Sequence, residues 1–280
     1  MLKTLLKGRK VIVNSKLTKL KNLLIYRISQ LGLSLSSTKT LNSYQSAERA
    51  AKRYSHFLRF IETYGCDFGK PLNQFFALAK SQIEQDLWVA TASQFEMGGS
   101  FLEIGGADGV KFSNTYALEK LLSWRGVIIE PARVWHEQLR INRSCIIDIR
   151  CCASRSGEKL DFLETPEALL STIETSRYND GHAHEREKGK CYPVETVSLN
   201  DIFAQYFPDN YVDYLSIDTE GNEDEILSAF DFERFRFRFA TIENAFNNAK
   251  RDRIHSLMID NGYKRVFEDL SQFDDYYEKT

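Results

Sequence analysis

The chain has 280 residues, of which 42% are hydrophobic and 27% are charged, and its formal net charge is −2. These values are ordinary for a soluble globular protein, and the length allows one large α/β domain with an extension. The longest unbroken apolar run, residues 75–79, is far shorter than the roughly 18 residues that a membrane-spanning helix needs. We therefore expect no such helix.

The five cysteines indicate the redox compartment. Their number is odd, and their spacing matches neither a disulfide framework nor a zinc site. We expect reduced core cysteines in a cytoplasmic protein.

Residues 1–45 form a predicted basic arm. Nine Lys or Arg precede Glu48, the first acidic residue, whereas the rest of the chain is acidic. Leucines at helical spacing between residues 17 and 28 predict an amphipathic helix. Two interpretations stay open: the helix contacts the inner face of an anionic membrane, or it packs on the rest of the chain or on a second copy. We expect no nucleic-acid binding, because the acidic body would repel phosphate.

Residues 46–95 form a predicted helical extension that packs on the core. Ser46 is a candidate helix cap and Gly65 a candidate helix end, with apolar residues on one face between them. A second helical region covers residues 75–92. The remaining residues, 96–280, form the predicted main domain.

The stretch at residues 101–131 reads as strand, glycine-rich turn, helix and strand. The first strand carries Glu103 near its end, and the second, residues 127–129, stops at Glu130. Three glycines follow the first strand and permit a tight turn: Gly105, Gly106 and Gly109. A glycine-rich loop after one strand, with an acid after the next, is typical of Rossmann-type folds that bind a nucleoside.

The spacing of this motif distinguishes between cofactors. A dinucleotide site has the pattern G-x-G-x-x-G, whereas this chain has E-x-G-x-x-x-G from Glu103 to Gly109. A carboxylate at Glu103 would repel a pyrophosphate but suits the ammonium and sulfonium of S-adenosylmethionine. Glu130 would then accept hydrogen bonds from both ribose hydroxyls. The alternative is a structural glycine turn and a surface glutamate without a ligand.

Further strands follow along the chain. One is predicted at residues 145–152, a second at 212–218, where it ends on Asp218, and a third at 235–239, shortly before Glu243. Two terminal strands are predicted at residues 262–267 and 273–277.

A long polar segment, residues 165–192, interrupts this series. It has no apolar period, which is typical of a lid or a substrate-binding loop. His182 and His184 lie in it, but no third ligand is evident, so we expect no metal there.

Several segments match a known family in order, from about residue 81 to the end of the chain. They include FLEIGGADG (101–109), SNT (113–115), NRSC (142–145) and YLSIDTEGNE (214–223). On these motifs the chain resembles the FkbM family of S-adenosylmethionine-dependent methyltransferases. The resemblance implies a class I methyltransferase fold: α/β, Rossmann-like, with a seven-stranded, mostly parallel sheet, helices on both faces and one antiparallel strand near the edge.

The motifs and the resemblance together predict a cofactor site at the strand ends. We expect Cys152 to contact the adenine through its backbone. The expected cofactor-binding residues are Glu103, Gly105, Gly106, Ala107, Asp108, Asn114, Glu130, Pro131, Cys152 and Asp218.

Methylation of a hydroxyl needs a base to accept the hydroxyl proton. The candidates, in order, are Asp218, Glu243 and His182. In an alternative arrangement, Asp218, Glu220 and Glu223 would gather a divalent cation that acidifies the hydroxyl. We do not expect that cation, because Glu223 is placed to stabilise the next helix.

The resemblance implies an O-methyltransferase that acts on a hydroxyl of a sugar, in a glycan, a glycolipid or a glycosylated natural product. Two alternatives belong to other classes. One is a non-catalytic module that keeps the cofactor fold for assembly or membrane recruitment, against which Glu103, Glu130 and Asp218 argue. The other is a nicotinamide-dependent dehydrogenase, against which the missing G-x-G-x-x-G motif argues. The oligomeric state is not readable from the sequence.

Overall fold

The computed structural model describes residues 38–66, 72–165, 171–173 and 189–280. The chain divides into two compact units, residues 1–54 and residues 55–280. Most of the predicted arm lies outside the described residues, and so does His182, so the membrane contact and the role of that histidine stay predictions. In the described part of the chain, no helix combines the length and the apolar character that crossing a bilayer requires.

A seven-stranded sheet forms the centre of the second unit. The described residues form eleven strands, seven in this sheet and four in a second, smaller one. In chain order they are Ser100–Ile104 (β1), Arg125–Ile129 (β2), Ile146–Asp148 (β3), Cys151–Ala153 (β4), Lys159–Glu164 (β5), Thr172–Ile173 (β6), Lys190–Ser198 (β7), Tyr211–Ile217 (β8), Arg236–Glu243 (β9), Tyr263–Val266 (β10) and Asp274–Lys279 (β11). The seven-stranded sheet has the order β10-β11-β9-β8-β1-β2-β3. Strand β11 is antiparallel to β9 and β10, and the other neighbours are parallel. The predicted sheet is therefore confirmed, including its antiparallel strand near the edge.

The helices are, in chain order, Thr38–Tyr64 (α1), Leu72–Leu78 (α2), Gln85–Ala92 (α3), Tyr116–Leu122 (α4), His136–Asn142 (α5), Leu199–Tyr206 (α6), Glu223–Ser228 (α7) and Asn248–Asp260 (α8). Helix α1 begins earlier than the predicted Ser46. It ends before Gly65, whose φ of 66° is the left-handed conformation that glycine adopts after a helix.

The two faces of the sheet are buried in two separate hydrophobic clusters. Phe101 and Tyr214 belong to one cluster, and their chain neighbours Leu102 and Leu215 belong to the other. This alternation follows from the two-residue period of a strand. The first cluster includes residues of α3 and α4, and the second includes residues of α6, α7 and α8. Both faces are covered, which explains why the central strands read as nearly continuous apolar runs.

The strand predicted at residues 145–152 is in fact two strands in different sheets. Strand β3 ends at Asp148, and β4 begins at Cys151 in a second sheet of order β4-β7-β5-β6. The Asp148 carboxylate accepts hydrogen bonds from both the backbone amide and the side chain of Arg150, each at 3.0 Å. Such an Asx-type turn ends the ladder, and an apolar period alone does not reveal it.

A buried arginine holds the glycine-rich loop in place. The Arg143 side chain is fully buried, and it donates hydrogen bonds to the Gly109 carbonyl at 3.2 Å and to the Glu119 carboxylate at 2.8 Å. It also forms an ion pair with Glu103, at 3.4 Å. Burial alone would raise the pKa of Glu119, but the Arg143 guanidinium and other donors lower it to about 2. One side chain thus connects the end of β1, the loop and helix α4.

Replacement of Arg143 by methionine should lower the free energy of unfolding by about 3–5 kcal/mol, because two buried carboxylates would lose their shared cation. Urea denaturation measures this change. The matched control is Arg140→Met, on the exposed side of α5, which should change stability by less than about 0.5 kcal/mol. A loss at Arg143 no larger than at Arg140 would contradict a structural role for the buried guanidinium.

Candidate functional site

A cavity of about 430 Å³ opens where the central strands end. Its walls include the residues that close four strands or directly follow them: Ile104, Glu130, Asp218 and Glu243. In an open α/β sheet, ligands bind beyond the carboxyl ends of the strands, at the point where the strand order reverses. Strand β1, with β2 on one side and β8 on the other, lies at this point. The cavity therefore has the position expected of a ligand site in this fold.

The structure places ten of the twelve predicted site residues in the cavity wall. These are Glu103, Gly105, Gly106, Ala107, Asn114, Glu130, Pro131, Cys152, Asp218 and Glu243. Asp108 is not in the wall; its carboxylate accepts hydrogen bonds from the amides of Val110 and Lys111, at 2.8 and 2.7 Å, and so shapes the turn. The twelfth, His182, lies outside the described residues.

The glycine loop passes so close to the sheet that side chains have no room. A Cβ at Gly105 would lie 1.9 Å from the Asp218 carbonyl oxygen, and the φ of Gly105 is 88°. A Cβ at Gly106 would lie 2.2 Å from a methyl carbon of Ile128. These glycines are required by the packing of the loop against β2 and β8. The tight turn leaves the space above the strand ends open.

Glu103 has protein partners rather than a free carboxylate. It accepts hydrogen bonds from the Asn114 amide at 2.7 Å and from the hydroxyls of Ser113 at 3.0 Å and Thr115 at 2.5 Å. With the Arg143 ion pair, its charge is compensated inside the protein. These hydrogen bonds show that Glu103 orients the segment after the glycine loop. Its role in attracting a positively charged cofactor stays a prediction.

Glu130 keeps its predicted place beside the loop. Its two carboxylate oxygens accept hydrogen bonds from the amides of Ala107, at 2.7 Å, and Ala132, at 2.8 Å. Burial raises the pKa of Glu130 to about 7, although these amides favour the ionised form. Each oxygen retains acceptor capacity, so the ionised side chain can receive two hydroxyl groups of a ligand.

Asn114 contributes an acceptor that the protein leaves unused. Its amide nitrogen donates to the Ser216 hydroxyl at 2.9 Å, while its Oδ1 is buried and has no hydrogen-bond partner among the described residues. Buried polar atoms are nearly always paired, so an orphan in a cavity wall indicates where a ligand donor binds.

Three carboxylates gather in the cavity wall. Asp218, Glu220 and Glu243 each place an oxygen within 4.8 Å of the other two. Burial, followed by the charge of Glu223, raises the pKa of Asp218 to about 7. Burial and the charge of Asp218 hold the pKa of Glu243 well above its ordinary value. Asp218 and Glu243 therefore favour sharing protons or positive charge over full ionisation.

The alternative metal arrangement grouped Glu223 with Asp218 and Glu220. In the structure, Glu223 has other partners. Its carboxylate accepts from the Lys250 ammonium at 2.5 Å and from the Thr219 and Gly221 amides at 3.0 and 3.1 Å. It therefore stabilises the turn before α7, as its helix position predicted. Glu243, from the neighbouring strand, takes its place beside Asp218.

Sequence reasoning missed several aromatic and basic residues of the wall. These are Lys111, Phe112, Trp135, Phe162 and Phe273. Each comes shortly after a motif or inside a weakly patterned segment, so local periodicity assigns it to no site. Gln82, at the start of the region that resembles the family, also lines the cavity.

Comparisons with known proteins agree with this geometry. The model of the methyltransferase FkbM domain matches residues 103–265, more than half of the chain. No curated protein matches the chain.

Solved structures with distant similarity include methyltransferases. Precorrin-6y C5,15-methyltransferase from Geobacter metallireducens GS-15 has 12% identity and a TM-score of 0.38, over 72% of this chain and 92% of that one. Methyltransferase FkbM from Methylobacillus flagellatus KT has 11% identity and a TM-score of 0.40, over 80% of this chain and 59% of that one. Scores this low support no inference about substrate.

The match to the family model covers the glycine loop, the strand-end acids Glu130 and Asp218, and the helices between them. The sheet order and its antiparallel strand agree with the class I methyltransferase fold. The chain therefore belongs to the FkbM methyltransferase family.

Proposed function

We propose that this chain transfers a methyl group from S-adenosylmethionine to a hydroxyl oxygen of a sugar-containing acceptor. The observation that carries the proposal is that one cavity wall contains two sets of polar groups. One set is Glu130 and the orphan acceptor of Asn114, and the other is Asp218 and Glu243. The choice of a sugar rests on the family resemblance alone.

The first set suits an adenosine that carries an amino acid. The Glu130 carboxylate is positioned by two backbone amides and can accept hydrogen bonds from a ribose diol. Asn114 Oδ1 is available to accept from an α-ammonium group. The glycine loop lines the same cavity. S-adenosylmethionine, when bound, supplies an electrophilic methyl carbon on a sulfonium.

The second set suits deprotonation of the acceptor. A sugar hydroxyl is a weak nucleophile at neutral pH, and a positioned base is typically worth about 10²–10⁴-fold in rate. Asp218 has a pKa of about 7, raised by burial, so it can take a proton in the neutral range. The acceptor oxygen then bonds to the methyl carbon as the carbon–sulfur bond breaks. The bonding electrons remain on sulfur as a thioether, and the hydroxyl proton goes to the Asp218 carboxylate.

A nicotinamide cofactor fits these residues less well. Glu130 would bind either ribose, but the turn lacks the G-x-G-x-x-G spacing that places helix amides against a pyrophosphate. The acidic residues of the cavity wall would also repel the phosphates of a dinucleotide.

Titration calorimetry of the full chain with S-adenosylhomocysteine and with NAD tests the cofactor. We expect binding of S-adenosylhomocysteine in the micromolar range, about −8 kcal/mol, and no heat with NAD. Binding of NAD alone would contradict the proposal. Binding of S-adenosylhomocysteine without methyl transfer to any acceptor in a radiolabelled screen of glycan and lipid-linked sugar extracts would favour a non-catalytic module.

The affinity for S-adenosylhomocysteine should rise as the pH increases from 6 to 8, because Glu130 becomes ionised as the pH passes through its pKa of about 7, which burial raises, and the ionised form accepts both ribose hydroxyls. In Glu130→Gln this dependence should disappear, and the affinity at pH 8 should fall by roughly 10- to 100-fold, the range for hydrogen bonds to a charged group. Calorimetry at each pH measures both effects. Glu137→Gln, an exposed position on α5, is the control and should behave as the wild type.

Replacement of Asp218 by asparagine should reduce methyl transfer by about 10²–10⁴-fold while the affinity for S-adenosylhomocysteine stays within roughly threefold of the wild type. The reason is that the amide keeps the shape but cannot accept the proton. Single-turnover transfer of a radiolabelled methyl group measures the rate. Full activity in Asp218→Asn would remove Asp218 as the base.

A further inference from the structure

We propose that Asp218, Glu220 and Glu243, which line the cavity, bind one divalent cation of the magnesium type. The three side chains come from a strand end, a turn and the end of a neighbouring strand, and they present one oxygen each within 4.8 Å of the others. Among the described residues, no other group of three or more His, Cys, Asp or Glu side chains has such an arrangement.

The sheet itself brings two of the three ligands together. Strands β8 and β9 are parallel neighbours, and Ile217 lies opposite Ile242 in their register. Asp218 follows Ile217 and Glu243 follows Ile242, so the two acids lie side by side where both strands end. Because the register of paired strands is rigid, the distance between these two carboxylates does not depend on a mobile loop.

An independent observation points to a ligand at this place. Glu243 is only 7% exposed, and its Oε2 has no hydrogen-bond partner in the described part of the chain. A buried carboxylate oxygen without a donor costs free energy on the order of several kcal/mol, so native proteins rarely keep one. The atom belongs to a side chain that lines the cavity. A cation bound there would satisfy it.

The protein's own cations do not fulfil this role. Lys250 is the basic residue that approaches the acidic cluster, and its ammonium is bound to Glu223 at 2.5 Å. Within the described ranges, no salt bridge joins Asp218 or Glu243 to a lysine, arginine or histidine. A second buried oxygen, Asp274 Oδ1, also lacks a hydrogen-bond partner among the described residues, and Asp274 is the cross-strand neighbour of Glu243. Asp218 and Glu243 therefore have no ion-pair partner in the part of the chain that the structure describes.

The chemistry of the ligand set selects the kind of cation. Three carboxylate oxygens without histidine or cysteine suit a hard ion such as Mg²⁺ or Mn²⁺, and they do not favour zinc or copper. Magnesium typically binds through few carboxylates and keeps other positions for water or substrate.

The catalytic consequence rests on the proposed function. A cation at this position would withdraw electron density from the acceptor oxygen and lower the pKa of its hydroxyl. The bonds made and broken stay the same: the oxygen–carbon bond forms, the carbon–sulfur bond breaks, and the hydroxyl proton leaves to a carboxylate oxygen that does not bind the cation.

The test is a titration of the full chain with Mn²⁺, followed by electron paramagnetic resonance, after treatment with EDTA and with neither cofactor nor acceptor present. We expect one Mn²⁺ per chain, displaced by Mg²⁺. The variants Glu243→Gln and Glu220→Gln should each weaken binding by at least tenfold, because each removes one charged ligand. Glu225→Gln, exposed on α7 in the same segment, is the matched control and should bind as the wild type does.

Thermal unfolding separates loss of the site from loss of the fold. In EDTA, Glu243→Gln should melt no lower than the wild type, because it removes one of several repelling acids. Added Mn²⁺ should raise the melting temperature of the wild type but not that of Glu243→Gln, as expected for a ligand of the native state.

The proposal is overturned if the wild type binds no Mn²⁺ up to about 1 mM, or if Glu243→Gln binds it as tightly as the wild type does. In either case the orphan oxygen would be satisfied by a proton shared with Asp218. Calorimetry with S-adenosylhomocysteine in EDTA keeps the two proposals distinct. Cofactor binding without Mn²⁺ binding rejects only the cation site, and the reverse result rejects only the proposed function.

Discussion

The site depends on how the protein compensates a carboxylate that it buries at the end of β1. Glu103 is 2% exposed, and a charge there is tolerated only with a cation and several donors around it. Arg143 supplies the cation, and the segment at residues 113–115 supplies the donors. Meeting this requirement fixes the path of the chain after the glycine loop. It thereby places Asn114 in the cavity wall.

Compensation by a cation separates the acids in and beside the cavity into two groups. Glu103 and Glu223 are each paired with a buried cation and several donors, so they hold the structure. Glu130 and Glu243 are buried and Asp218 is half-buried, none of them has such a cation among the described residues, and desolvation raises the pKa of all three. Perturbed acids in a cleft are typical of functional sites. The uncompensated acids are the ones to which we assign ligand binding and proton transfer.

On the proposed function, one cavity binds two chemically different partners. Its wall contains a carboxylate that can bind a diol, an amide oxygen without a partner among the described residues, and a cluster of carboxylates. The strand order brings these groups together, because β2 and β8 flank β1. A methyl donor and a hydroxyl acceptor would thus meet above the end of β1, held in the orientation that displacement at carbon requires.

By itself, the sequence determined the family, the sheet with its antiparallel strand, and ten of the cavity-lining residues, because periodicity, glycine spacing and strand-end acids are local signals. Only the tertiary structure decided which acids are compensated. Arg143 reaches Glu103 across 40 positions, and Lys250 reaches Glu223 across 27. For the same reason the sequence could not show that Glu103 pairs with Arg143 or that Glu223 pairs with Lys250, and the alternative metal arrangement included Glu223 instead of Glu243. Charge compensation depends on distances in space, and those exist only once the strands are paired.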